Sequence, residues 1–131
     1  MSGSTSPMRT PLSKVRGLGS AKSGTDHFWK QRMTAVANVP LTLAFVFIVL
    51  SLLGKSHATV DATLGSPLVA IILLLFILSG VIHMKLGLQV VIEDYIPEEG
   101  PKILALMANT FFSVAIGLAA TFAVLKIAFG V

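Results

Sequence analysis

One histidine and one Asp-Tyr pair form the clearest chemical pattern in this sequence. His83 lies well inside a long apolar segment, and Asp94 and Tyr95 follow near the end of the same segment. At 100° per residue, the step from His83 to Asp94 is three helical turns plus about 20°, with a rise of roughly 16 Å. A helix would therefore align a deeply placed imidazole with a carboxylate, next to a phenol that can donate a hydrogen bond and a proton.

His83 has three interpretations: a hydrogen bond to a neighbouring helix, a proton-relay group, or an axial ligand to a metal such as haem iron. Ser79, Gly80 and Gly87 lie on the same helical face, about one turn away, so the surface around the imidazole has little side-chain bulk. A flat macrocycle or a closely packed helix would suit such a face equally well. Both possibilities predict that this face does not meet lipid.

Several polar and aromatic residues near the membrane surface also have a plainer interpretation. Arg32 precedes the first apolar run and could pair with Asp94, or with a propionate or carbonyl group. It could equally be a cationic anchor at the membrane surface, with Asp94 a solvated loop acid. Tyr95 and Trp29 fall at the same interface and suit an aromatic belt. Lys85 can extend its long side chain to that surface.

The elements that carry these residues are predicted to be membrane-spanning helices. Of the 131 residues 54% are hydrophobic and only 12% are charged, with a mean hydropathy of +0.86, which excludes an ordinary soluble domain. Continuous apolar runs occupy about 33–53, 67–91 and 103–129, each long enough to cross a hydrocarbon core. They lack the alternation of barrel strands, so the sequence predicts an all-α membrane protein with three transmembrane helices.

The remaining segments set the predicted domains and topology. Residues 1–24 are predicted to be a flexible basic tail, and 25–131 a three-helix membrane anchor. The loop 54–66 is predicted to be a short solvent-exposed connection. Eight of the ten Lys and Arg residues fall on the side of the N-terminus, which places that end in the cytoplasm or, in a mitochondrion, the matrix. Because these charges flank apolar spans, they indicate topology rather than nucleic-acid binding.

Several catalytic and redox centres are excluded by the residues the chain lacks. With no Cys it can form no disulfide, Cys-ligated zinc, iron–sulfur cluster or c-type haem attachment. It also has no nucleotide-binding glycine pattern and no plausible Ser/His/Asp site. A haem held by two imidazoles would need a histidine from another chain, because His27 and His57 lie outside the spans. We therefore expect a polypeptide that is not an enzyme by itself.

Two stretches of the chain resemble a known family at the level of sequence motifs. The run 83–95, HMKLGLQVVIEDY, resembles the second-span motif of the small (D-type) membrane-anchor subunit of succinate dehydrogenase, respiratory complex II. The run 24–35, GTDHFWKQRMTA, resembles the segment that leads into the first span in the alphaproteobacterial and mitochondrial branches of that family. Together with the three-span layout, this likeness covers most of 24–95 and extends to the end of the chain.

The resemblance implies a site and a set of partners. His83 matches the family's haem ligand, Tyr95 the tyrosine that hydrogen-bonds a quinone carbonyl, Asp94 its acidic neighbour, and Arg32 the arginine near the quinone and the haem propionates. It implies one haem b shared with a second, cytochrome b556-type anchor subunit. FAD and iron–sulfur clusters are implied only in a flavoprotein and an iron–sulfur partner, which pass electrons from succinate to ubiquinone. The implied location is the bacterial inner membrane, with a mitochondrial one less favoured.

The sequence also differs from the family at one place and is compatible with one alternative function. Pro97, Glu98 and Glu99 stand where relatives often carry a basic residue or His, which affects the details of that loop. The alternative is a small integral subunit of a transporter, in which His83 and Lys85 relay protons and no cofactor is bound. The two hypotheses differ in whether a purified assembly contains haem.

Overall fold

The computed structural model describes residues 10–17 and 23–131, and the described part is helical without strands. Within these two ranges, five helices follow one another: α1 (Pro11–Val15), α2 (Ser23–Leu52), α3 (His57–Leu64), α4 (Pro67–Tyr95) and α5 (Glu99–Phe129). Three of them are long and apolar enough to cross a membrane, over Thr25–Leu52, Pro67–Tyr95 and Glu99–Phe129. The prediction of an all-α protein with three membrane-spanning helices is confirmed.

The long helices begin and end at residues suited to those positions. Helix α4 follows Ser66 and has Pro67 in its first turn, where the missing N–H of proline leaves no bond unmade. Helix α5 ends at Phe129 and is followed by Gly130, whose φ of 68° lies in the left-handed region that glycine tolerates best. Helix α2 begins at Ser23 and α4 continues to Tyr95, so both extend beyond the predicted apolar spans through polar turns at the same end of the bundle.

Two short helices lie in segments predicted to have no regular structure. Helix α1 falls inside the predicted tail; the rest of that prediction, in residues 1–9 and 18–22, lies outside the described residues. Helix α3 falls inside the predicted connection 54–66. It forms because the Ser56 hydroxyl accepts a hydrogen bond from the Thr59 N–H, which caps the first turn. An N-cap of this kind supports a helix too short and polar to show an apolar period.

Helix α4 is the central helix and packs against both α2 and α5. Against α2, the rings of Phe45 and Phe76 stack with centroids 4.8 Å apart. Against α5, Val81 lies 3.4 Å from the position where a Cβ on Gly117 would lie, so the absence of a side chain there permits close helix contact. Most large apolar side chains of the three spans stay exposed, as expected for surfaces that meet lipid or partner subunits.

Two polar residues of α5 lie inside the helix bundle. Asn109 and Ser113 are both buried. The Asn109 side-chain N–H donates to the main-chain carbonyl of Lys85 over 2.9 Å, and the Ser113 hydroxyl donates to the Asn109 side-chain oxygen over 3.4 Å. Since a hydrogen bond between helices holds their relative position in an apolar medium, this pair fixes α5 against α4 near the level of His83.

Candidate functional site

The His83 ring lies between α4 and α2, where the Thr34 hydroxyl meets it. The distance from His83 Nδ1 to Thr34 Oγ1 is 3.1 Å, and the ring is partly buried. Of the three interpretations of His83, a hydrogen bond to a neighbouring helix is thus confirmed. That bond occupies only one ring nitrogen, because Nε2 has no hydrogen-bond partner within residues 10–17 and 23–131. An imidazole held through Nδ1 keeps Nε2 for a ligand or a proton.

Small residues on the histidine face have two different surroundings. The Ser79 hydroxyl donates to the Thr34 main-chain carbonyl over 3.3 Å, and a Cβ on Gly87 would lie 3.6 Å from the Gln31 side-chain nitrogen. Both positions therefore contact α2, in agreement with helix packing. A Cβ on Gly80 would instead meet no atom of the described chain within 4 Å. The histidine face is accordingly closed toward α2 at Ser79 and Gly87 and open at Gly80.

A row of polar side chains on α2 faces this site, and we call it the α2 polar row: His27, Gln31, Thr34 and Asn38. The spacing of four, three and four residues keeps them on one face of the helix. His27 Nε2, Gln31 Oε1 and Asn38 Oδ1 are buried atoms without a hydrogen-bond partner in the described residues. Buried polar atoms usually have partners, so this face can receive groups that the described residues do not supply.

Arg32 lies beside this row and does not reach Asp94. Its guanidinium stacks on the Phe28 ring, 4.7 Å from the centroid. Thr34 and His83 are in contact, so they lie at the same level of the bundle. Arg32 is about 3 Å from Thr34 along the axis of α2, whereas Tyr95 is about 18 Å from His83 along the axis of α4. No ion pair joins Arg32 to Asp94 among the described residues. The structure thus places Arg32 near the level of His83 rather than with the Asp-Tyr pair.

Asp94 and Tyr95 form the last two residues of α4 and are exposed. Tyr95 has a relative exposure of 80%, and its hydroxyl makes no hydrogen bond within the described part of the chain. Just before them, the Gln89 side-chain N–H donates to Glu93 over 2.8 Å, one turn along the same helix. The phenol is therefore available to another molecule at the end of the bundle where α2 begins.

Comparison with known proteins identifies the family. The family model described as succinate dehydrogenase/fumarate reductase transmembrane subunit matches residues 6–117. The chain is 34% identical over 121 residues to the succinate dehydrogenase hydrophobic membrane anchor subunit of Paracoccus denitrificans, covering 92% of this chain and 93% of the relative. It is 33% identical over 110 residues to the anchor subunit of the same name from Rickettsia bellii (strain RML369-C), covering 84% and 88% respectively.

A third relative is similar over a shorter part of the chain. The succinate dehydrogenase membrane anchor subunit of Reclinomonas americana is 33% identical over 88 residues, or 65% of this chain and 73% of the relative. No solved structure matches the chain at a significant level. The transporter alternative finds no support in the names of these relatives. This chain belongs to the succinate dehydrogenase/fumarate reductase transmembrane subunit family, as a membrane anchor subunit of the succinate dehydrogenase type.

Proposed function

We propose that this subunit helps to bind haem b and ubiquinone, so that electrons from succinate oxidation in partner subunits reduce the quinone. The observation that carries the proposal is the state of His83. One ring nitrogen is held by Thr34, and the other has no partner in the described residues. Family membership supports the class of complex, and the geometry of this ring supports the role of the residue.

Haem b suits the surroundings of His83. Its Nε2 has no hydrogen-bond partner among the described residues, and Gly80, one turn away, leaves open space where a side chain would otherwise stand. His83 would bind the haem iron from this chain, and a second anchor subunit would supply the other ligand, since His27 lies about 10 Å from the level of His83 along α2 and His57 lies on α3 beyond the spans. Bound there, haem b would supply a centre that accepts and releases one electron. The protein's own contribution is to hold the imidazole and to exclude water.

Arg32 would balance negative charge at the edge of this site. Its guanidinium is fixed against Phe28 and lies near the level of His83 on the side where α2 begins. A haem propionate directed toward that surface would meet a permanent cation there. Because Arg32 is about 15 Å from Tyr95 along the helix axis, we assign it to a propionate in preference to the quinone carbonyl at Tyr95.

Tyr95 and Asp94 would contribute to the quinone site. The exposed phenol can donate a hydrogen bond and a proton to a quinone carbonyl, and the adjacent carboxylate can take up protons from the aqueous side. Their place at the end of α4 is reached both by a lipid-soluble substrate and by an electron-carrying subunit at the membrane surface. The chain has no Cys, so iron–sulfur clusters would lie in the iron–sulfur partner and FAD in the flavoprotein.

The α2-start end of the bundle is proposed to face the cytoplasm of a bacterial inner membrane, as the Lys and Arg distribution indicates. Because the natural chain has no Cys, one introduced thiol reports one position. In intact cells with a permeabilised outer membrane, a membrane-impermeant maleimide should label Lys55→Cys and leave Arg16→Cys unlabelled until the inner membrane is opened. Labelling of Arg16→Cys alone in intact cells would reverse the orientation.

The function is tested on the assembly purified from native membranes through an affinity tag on this chain. We expect three partner subunits identified by mass, b-type haem bands in the reduced-minus-oxidised spectrum, and ubiquinone reduction driven by succinate. An assembly with these partners but without b-type bands would refute haem binding. An assembly without a flavoprotein and an iron–sulfur subunit would refute the proposed function as a whole.

A further inference from the structure

We propose that Thr34 is the positioning residue that sets the protonation pattern and the electron-donating strength of the His83 imidazole. This proposal rests on the proposed haem-binding function of His83. The contact that carries it is the 3.1 Å approach of Thr34 Oγ1 to His83 Nδ1, which joins α2 to α4.

The direction of this hydrogen bond follows from the number of protons on a hydroxyl. Thr34 Oγ1 lies 2.7 Å from the Lys30 carbonyl and 3.0 Å from the Gln31 carbonyl, both in its own helix. A threonine hydroxyl has one proton, and these two oxygens can only accept it. The hydroxyl proton is therefore directed to the carbonyls, and a lone pair of Oγ1 faces the imidazole. His83 Nδ1 must then carry the proton and donate.

This assignment determines the chemistry of the other ring nitrogen. In a neutral imidazole with a proton on Nδ1, Nε2 has a free lone pair and is the atom able to bind a metal. A hydrogen bond from Nδ1–H to an oxygen also increases the basicity of Nε2 and fixes the orientation of the ring. The Ser79 hydroxyl, which donates to the Thr34 main-chain carbonyl over 3.3 Å, holds the same residue of α2 against α4.

Removing the Thr34 hydroxyl is expected to change two quantities, the midpoint potential of the haem and the rate at which the complex loses haem. A more basic imidazole favours the oxidised iron, so loss of the Thr34 hydroxyl should raise the midpoint potential of the haem. Outer hydrogen-bond partners of metal ligands typically alter metal affinity by about 10- to 100-fold. We therefore expect Thr34→Val to make haem loss from the assembled complex faster by a factor in that range.

The experiment compares four assembled complexes: wild type, Thr34→Val, Thr34→Ser and Thr110→Val. Thr110 is the matched control, because its hydroxyl donates to the Leu106 carbonyl in the same manner but contacts no histidine. The readouts are the haem midpoint potential by redox titration and the rate of haem transfer to an apoprotein acceptor. Thr34→Val should change both quantities, whereas Thr34→Ser and Thr110→Val should stay close to wild type.

The outcomes separate this inference from the proposed function. Unchanged potential and haem retention in Thr34→Val would overturn the role of Thr34, and so would a failure of Thr34→Ser to restore either quantity. If Thr34→Val does not assemble, Thr34→Ala removes the hydroxyl without adding a branched methyl and is judged by the same criteria. Retention of full low-spin bands by His83→Ala would instead overturn haem ligation itself, whatever Thr34 does.

Discussion

Replacing His83 with Ala is expected to lower the low-spin b-type haem bands of the assembled complex by at least about tenfold. Removing an outer hydrogen-bond partner already costs 10- to 100-fold in metal affinity, and His83 is proposed as a direct ligand. Either the haem leaves, or it stays with one strong axial ligand and loses its low-spin character. The measurement is the reduced-minus-oxidised spectrum per mole of complex, with subunit content checked by mass.

His57→Ala is the control for the loss of a histidine as such. His57 lies on α3, outside the spans, beside Asp61 at 3.5 Å, and its side chain is 89% exposed. Its removal should leave the haem bands at their wild-type intensity. A His83→Ala complex with the same bands as His57→Ala would show that the iron takes its ligands from elsewhere, and His83 would then only join α4 to α2.

Replacing Tyr95 with Phe should lower succinate-driven ubiquinone reduction by about 100-fold, since a positioned proton donor typically contributes 10²- to 10⁴-fold. The change removes one hydroxyl and keeps the ring, so a surface anchor would be little affected. Succinate oxidation with an artificial acceptor that takes electrons before the quinone site should continue at the wild-type rate. The two activities are measured on the same purified preparation.

Trp29→Phe provides the matched control at the same end of the bundle. Trp29 is 57% exposed and contacts Phe28 edge to face, so it has the position of an interfacial aromatic without a phenol. Its replacement should leave both activities unchanged. If Tyr95→Phe and Trp29→Phe behave alike, the tyrosine is an interface anchor and the proposed quinone contact is wrong.

The three spans were predictable from the sequence because lipid imposes a single strong requirement. Each crossing needs about 20 apolar residues, and few arrangements other than a helix satisfy the backbone in hydrocarbon. The connection 54–66 was not predictable in the same way. Helix α3 in this connection depends on local capping by Ser56. That signal consists of a few polar residues, and the glycine and threonine residues of the same segment favour a loop instead.

Part of the candidate site was visible in the sequence and part was not. The alignment of His83 with Asp94 follows from helix geometry alone, and helix α4 carries both. The hydrogen-bond partner of the His83 ring depends on the pairing of α2 with α4, which no periodicity in the sequence specifies.

The α2 polar row left a signal in the sequence. Four polar residues share one face at the start of an apolar span: His27, Gln31, Thr34 and Asn38. Buried Asn109 in α5 was a similar signal, in a span that otherwise indicates only packing and anchoring.

Chemical rescue of a cavity variant is the most direct examination of ligation by His83. In the His83→Gly complex, added imidazole can occupy the space of the lost ring, with Thr34 still present to accept its N–H. Haem ligation by His83 predicts weak low-spin bands without imidazole and a saturable return of these bands as imidazole is added. Full low-spin bands before any imidazole is added, unchanged on titration, would contradict it.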